Sequence, residues 1–274
     1  MNNCKHFNTM FISTQGEQLW SDAEQNTTIY KEFLPCRELQ PYIACYWMSK
    51  VTTVSNEVIT SRIIPDGCMD IVFNMSSLSK GKGGVVVGTM TSPEENLVND
   101  LRYFVGVRFW PGAIVPFIKS PAKDFTNKGF SLEYVWGKKN TILNESVYEA
   151  KNINDIIKIL EKTLKKKLLD IFYIDSVIQN MLYNVYNAKG NISVKALSIN
   201  LNISQRQLSR KVNEWVGVSP KTFNNIVRFQ NIINELSTKS NRNFLEIALN
   251  NGYYDQAHFI KEFKAFYGKT PGQL

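Results

Sequence analysis

A chain of 274 residues has room for about two domains, and a hydrophobic fraction of 43% is enough for each to bury a core. No apolar run approaches the ~18–20 residues needed to cross a bilayer, and the stretch from Met1 to Phe11, broken by Cys4, His6 and several Asn, does not read as a secretion signal, so no membrane contact and a cytoplasmic location are expected. The net charge of +8 is concentrated: residues 190–274 hold 11 Lys and Arg against 5 Asp and Glu, and the remainder holds 21 against 19, as expected of a tail that meets a polyanion.

The first half reads as β-rich. Cys68–Met75, Val85–Met90 and Leu101–Trp110 are dense in β-branched and aromatic residues, with turn signals at Pro65-Asp66-Gly67, Gly81–Gly84, Ser92-Pro93 and Pro111-Gly112 between them. Residues 113–119 fit a short helix or another strand. If this half holds a ligand pocket, the aromatics Tyr46, Trp47, Phe73, Phe109 and Trp110 are candidate lining, with Asp66 and Arg108 as polar anchors. For any single one of these aromatics plain core is the favoured role, and Pro-Asp-Gly is first of all a turn.

From about Ile142 the apolar period becomes helical, with Ile153, Ile156, Ile157, Leu160, Leu164, Leu168 and Leu169, then Val177, Ile178, Met181, Leu182 and Val185. Ala188-Lys189-Gly190-Asn191 interrupts it. The expected division is a β-rich domain at 1–141, linker helices at 142–189 and a separate all-α domain at 190–274, an α+β chain as a whole.

The tail contains an internal repeat. Leu197-Ser198, Asn202 and Ile203 match Ile247-Ala248, Gly252 and Tyr253 at an offset of 50. After one inserted residue, Leu208, Val212, Trp215, Gly217 and Pro220 match Phe259, Phe263, Phe266, Gly268 and Pro271 at 51. Each copy has the parts of a helix-turn-helix: a short apolar helix, then Asn202 or Gly252, which tolerate a left-handed turn, then Ser204 or Asp255, which cap the next helix. The second helix of each copy is amphipathic. Its outward residues are Gln205, Arg206, Ser209, Arg210 and Asn213 in one copy and Gln256, Ala257, Ile260, Lys261 and Lys264 in the other. Arg suits the edge of guanine, Gln that of adenine, and an aliphatic side chain the thymine methyl, so these are the candidate DNA-binding residues. Pro220 to Leu236 reads as a long helix spacing the two copies.

These positions, with Ser219-Pro220, Arg228, Phe263-Lys264 and Thr270-Pro271, resemble the DNA-binding domain of the AraC/XylS family of bacterial regulators over some 80 residues. Ser198, Asn202 and Glu214 depart from the pattern, standing where the family favours Ala, Gly and a basic residue. Pro35, Leu39, Pro41-Tyr42, Tyr46-Trp47, Pro65–Cys68, Gly106–Phe109 and Trp136-Gly137 resemble an uncharacterised domain often placed before that module. The resemblance implies a transcription activator or repressor, with a sensing or dimerising N-terminal domain that is often a cupin-like β-barrel. The implied partners are double-stranded DNA, a small-molecule effector, RNA polymerase and a second copy of the chain.

An enzyme targeted to DNA, of the repair type, is the alternative. It is weakened by the residues at hand: with only His6 outside the tail, a Ser-His-Asp or Cys-His site is scarcely available. Gly81-Lys82-Gly83-Gly84 lacks the spacing of a phosphate loop, and four cysteines without a CxxC pair supply a metal poorly. No cofactor, no metal and no catalytic turnover are expected. Cys68 fits a buried structural thiol better than a redox sensor.

Overall fold

A computed structural model describes residues 28–53, 59–76, 83–98, 100–137, 141–169, 175–238 and 244–273. Cys4, His6, Gly81 and Lys82 lie outside them. Among the described residues no helix is long and apolar enough to cross a membrane.

The N-terminal half folds as two antiparallel sheets. Strands β1 (Thr28–Phe33), β2 (Ile43–Val51), β4 (Met69–Asn74), β5 (Val85–Val87), β7 (Tyr103–Phe109) and β8 (Gly129–Ser131) form one sheet in the order β1-β2-β7-β4-β5-β8. Strands β3 (Ile59–Ile63) and β6 (Glu94–Val98) pair separately. Successive strand residues point to opposite faces, and the alternation is clean in β4, where Met69, Ile71 and Phe73 are buried and Asp70, Val72 and Asn74 half-buried. Val105, Val107 and Phe109 of β7 and Tyr46 of β2 join the same buried face.

That face is covered by helices: α1 (Val115–Ile118), α2 (Leu132–Trp136), α3 (Thr141–Glu149) and α4 (Ile153–Leu168). The stretch open to two readings in the sequence is thus helical at its centre. Helix α4 presents Ile156, Leu160 and Leu164 at a four-residue spacing to the sheet, starts on an Asn152 cap and ends on Lys165, Lys166 and Lys167, where cations oppose the negative end of the helix dipole. Phe73, Phe109 and Tyr46 are fully buried here, each a gain of roughly 1.5–3 kcal/mol in transfer from water.

The tail has two further cores. Helix α5 (Ser176–Asn187) packs Ile178, Met181, Leu182, Val185 and Tyr186 with Leu197, Leu208, Val212, Val216, Phe223 and Val227, contributed by α6 (Val194–Asn200), α7 (Gln205–Val216) and α8 (Pro220–Thr238). The third core joins the other side of α8 to α9 (Phe244–Asn250) and α10 (Gln256–Tyr267) through Phe229, Ile232, Ile233, Leu236, Ile247, Phe259, Phe263 and Phe266. The helices expected as a linker at 142–189 therefore part company: α3 and α4 pack on the sheet, and α5 packs in the tail.

Candidate functional site

The two copies of the repeat fold alike, for local reasons that can be named. Helix α6 ends at a turn where Asn202 takes φ 52°, and α9 ends at Gly252 with φ 76°. That left-handed conformation strains most residues and suits Gly and Asn. The turn is closed by Ile203 N donating to Ser198 O at 3.1 Å and by Tyr253 N donating to Ala248 O at 3.0 Å, the same bond in both copies. Ser204 then caps α7, with its Oγ accepting from Gln207 N while the Gln207 side chain returns to Ser204 N. Asp255 caps α10, accepting from His258 N at 2.7 Å. Both helices stop at a left-handed glycine, Gly217 and Gly268.

Helix α8, 19 residues or about 28 Å long, stands between the copies. Its Arg228 bonds both oxygens of Glu262 on α10, with Nη2 at 2.8 and 2.9 Å, and stacks 4.3 Å over the Tyr253 ring. Tyr253 Oη also donates to Glu262.

The outward residues sit where the amphipathic pattern puts them. Gln205, Arg206 and Arg210 are exposed on α7, and Ser209 and Asn213 are half-buried, with Asn213 Nδ2 donating to Ser209 O. On α10, Gln256, Ala257, Lys261 and Lys264 are exposed, while Ile260 is half-buried against the third core. Lys211 is held by an ion pair to Asp175, the cap of α5. Tyr254 was not singled out from sequence, although it is the one inserted residue of the second copy. It stands 92% exposed in the turn before α10, where its hydroxyl could meet a phosphate.

The N-terminal half holds a cavity of about 320 Å³ between the two sheets. It lies on the face of the large sheet opposite the helices, so strand parity decides which residues reach it. Trp47, Asp66 and Arg108 line it, and so do Tyr30, Asp70 and Phe104. Phe73, Tyr46 and Phe109 point the other way into the dry core. Trp110, just past β7, packs on the core of the first helix-turn-helix, with its indole N–H donating to Gln40 O at 3.1 Å. The structure thus gathers three of the seven aromatic and polar candidates, Trp47, Asp66 and Arg108, and it separates Tyr46, Phe73, Phe109 and Trp110 from them.

At the cavity wall, Arg108 and Asp70 face each other across β7 and β4. Arg108 Nη2 bonds Asp70 Oδ2 at 3.2 Å, Nε lies 3.5 Å from Asp66 Oδ2, and Nη1 is buried without an acceptor. Trp47 Nε1 donates to Asp70 Oδ2 at 2.9 Å, and Cys68 N to Asp66 Oδ1 at 2.9 Å. Burial pushes the Asp70 carboxyl up, against the pull of Arg108. Burial also raises the Cys68 thiol well above its ordinary range, which disfavours the reactive thiolate. Gly106 lies opposite Trp47, and a Cβ there would come within 2.2 Å of the indole, so this position must lack a side chain for Trp47 to lie as it does.

Residues 197–274 match the model of a helix-turn-helix domain, and residues 31–131 match that of a domain of unknown function (DUF6597). The tail is an AraC-type helix-turn-helix domain. The HTH-type transcriptional regulator MtrA of Neisseria gonorrhoeae is 40% identical over 72 residues, 26% of this chain and 24% of that protein. An uncharacterized HTH-type transcriptional regulator of Haemophilus influenzae is 27% identical over 141 residues, 50% of this chain and 47% of that protein. The chain thus matches between a quarter and a half of the length of these curated relatives. Crystal structures of ToxT from Vibrio cholerae align over 90% of this chain and 96% of theirs, at 11% identity and a TM-score of 0.43, too remote to transfer a ligand or a mechanism.

The AraC-type domain is seated on the β domain along its whole length. At the first copy, Thr89 Oγ1 donates to Val216 O at 2.6 Å, and Thr126 Oγ1 donates to Gly217 O. At the spacer helix, Gln230 Nε2 donates to Pro65 O at 2.7 Å, and a Cβ on Gly67 would lie 2.8 Å from the Phe223 ring. At the second copy, Arg62 stacks 4.8 Å over Tyr267, and Ile64 enters the third core. Arg62, Ile64, Asp66, Gly88 and Met90 belong to these same segments and line the cavity.

Proposed function

We propose that this chain is a sequence-specific DNA-binding transcription regulator whose two reading helices, α7 and α10, enter successive major grooves. The observation that carries the reading is the duplication itself. Two capped helices of matching geometry turn Gln outward together with Arg on α7 and Lys on α10, on a tail with 11 basic against 5 acidic residues. Gln205, Arg206, Ser209, Arg210 and Asn213 would read one half-site, and Gln256, Ala257, Ile260, Lys261 and Lys264 the other. The test is fluorescence anisotropy of the full chain on labelled duplexes recovered from genomic DNA by affinity selection. Binding should weaken steeply with salt as phosphate contacts release counterions, and selected duplexes should outcompete random ones. A folded protein that binds selected and random duplexes equally overturns the reading.

We further propose that the cavity is an effector site and that occupancy reaches the DNA-binding domain through the wall segment 62–68. The support is positional: one short stretch lines the cavity with Arg62, Ile64 and Asp66 and touches α8 and α10 with Arg62, Ile64, Pro65 and Gly67. A ligand that shifts this stretch changes the seating of the reading helices, and it can do so only by the difference in its affinity for the two seatings. A second copy of the chain and RNA polymerase are further partners that such a regulator would meet.

A further inference from the structure

The two reading helices share one geometry and differ in chemistry. At the offset of 51 that aligns the copies, Gln205 matches Gln256, Arg206 matches Ala257, Ser209 matches Ile260, Arg210 matches Lys261 and Asn213 matches Lys264. Each member of a pair stands at the same distance from its cap, Ser204 or Asp255. The same point of a major groove would therefore meet Arg206 in one copy and Ala257 in the other. A duplicated unit that took the same base pairs twice would keep these positions alike, and of the five only Gln205 and Gln256 are identical.

On α7 few side chains are left to bond a base. Gln207 is engaged by the Ser204 cap, Asn213 turns its amide back to Ser209 O at 2.7 Å, and Lys211 is paired with Asp175. Gln205, Arg206 and Arg210 are exposed, and neither arginine is held by a hydrogen bond or an ion pair among the described residues. The two arginines lie four residues apart on one face, about 6 Å along the helix axis or roughly two base-pair steps. The guanidinium fork matches O6 and N7 of guanine, two adjacent acceptors that no other base presents in the major groove.

On α10 the middle of the outward face is apolar. Ala257 is exposed, and Ile260 is half-buried and held in place by the third core. An aliphatic side chain leaves the polar edge of a base without a partner once water is expelled. The thymine methyl is the apolar group that suits it, and Gln256 suits adenine. Lys261 is a point charge on a flexible stem, and thymine O4 or adenine N7 accepts from it as guanine does, so it does not oppose an A·T pair.

We propose that the DNA site is asymmetric: α7 takes a guanine-bearing block through Arg206 and Arg210, and α10 takes an A·T block through Gln256, Ala257 and Ile260. This rests on the regulator function proposed above and names the base pairs that each helix selects. The opposite case is two like blocks, as a palindrome or a direct repeat supplies. It would require Ala257 to select the base pair that Arg206 selects, and a methyl group has no donor with which to do so.

The experiment is competition anisotropy of the full chain on a duplex enriched from a random library, with single groups of the DNA altered. Placing 7-deazaguanine in the guanine-bearing block removes the N7 acceptor and should weaken binding about tenfold. Placing deoxyuridine for thymidine in the other block removes one methyl and should weaken binding about fourfold. The first loss should vanish in a variant carrying Arg206→Ala and Arg210→Ala, and the second in Ile260→Ser. If a variant does not fold, the altered duplexes on the unaltered chain still decide whether the blocks differ. Two like blocks, deoxyuridine tolerated without loss, or a guanine dependence abolished by Ile260→Ser rather than by the arginine changes each overturns the inference and leaves two reading helices in place. No enriched sequence from a folded protein overturns the regulator function itself, and this inference with it.

Discussion

Both helix-turn-helix units pack an apolar core against α8, but the first is braced by an added helix and the second by a buried polar network. In the first, α5 lays Ile178, Met181, Leu182, Val185 and Tyr186 against α6, α7 and α8. In the second no such helix is added among the described residues; Arg228, Glu262 and Tyr253 lock α10 to α8. The turn, the caps and the terminal glycines are shared. The comparison teaches that the motif specifies its own local geometry but is too small to bury enough apolar surface alone, and that either kind of support suffices.

The largest expected effect comes from removing the apolar support. A fragment beginning at residue 190 loses five buried side chains of the first core, each with about 1.5–3 kcal/mol of transfer free energy at stake. It should fail to hold that unit together, whereas a fragment beginning at residue 175 should unfold cooperatively. Urea melts followed by circular dichroism compare the two, and equal midpoints would show that α5 is dispensable. Next is the polar support. Arg228→Met leaves Glu262, only 10% exposed, without its partner and should destabilise the second unit by about 3–5 kcal/mol. Adding Glu262→Leu should recover much of that loss, and a double variant no more stable than the single one would contradict the network's role.

Smaller effects test whether the two units read DNA alike. Arg206→Ala or Arg210→Ala should cost about 1–3 kcal/mol on a selected duplex if either bonds a guanine edge, and Gln256→Ala or Lys261→Ala the same in the other half-site. Competition titration on each half-site checks this, and a variant set that moves only one half-site would make the other unit a phosphate anchor. The smallest changes are at the caps. Ser204→Ala and Asp255→Ala should each lose about 1 kcal/mol of stability, read as paired shifts in denaturant midpoint.

The tail was legible because its information is local and doubled. The left-handed positions Asn202 and Gly252, the caps Ser204 and Asp255 and the apolar stripes recur at offsets of 50 and 51, so each copy checks the other. The role of α5 was not legible, since a stripe such as Val177, Ile178, Met181, Leu182 and Val185 reveals a buried face without naming what covers it. In the β half, composition marked aromatic strands but did not separate their two faces. Parity would have helped within a strand: Asp70 and Val72 alternate with Ile71 and Phe73, and Phe104 and Arg108 with Val105, Val107 and Phe109. Which parity meets a cavity depends on the separate β3–β6 ribbon, whose pairing is between residues more than 30 apart. Asp70 shows the cost of that gap: its pairing with Arg108 appears only once β4 and β7 are adjacent.

The central claim is that two reading helices act as a pair, and the sequence preference of the full chain tests it most directly. Selection from a randomised duplex library, followed by sequencing, should return a bipartite site with its two conserved blocks about one helical turn, ~10 base pairs, apart. Repeating the selection with Arg210→Ala should blur one block, and with Lys261→Ala the other. A single block untouched by either substitution, or no enriched sequence from a folded protein, would contradict the account.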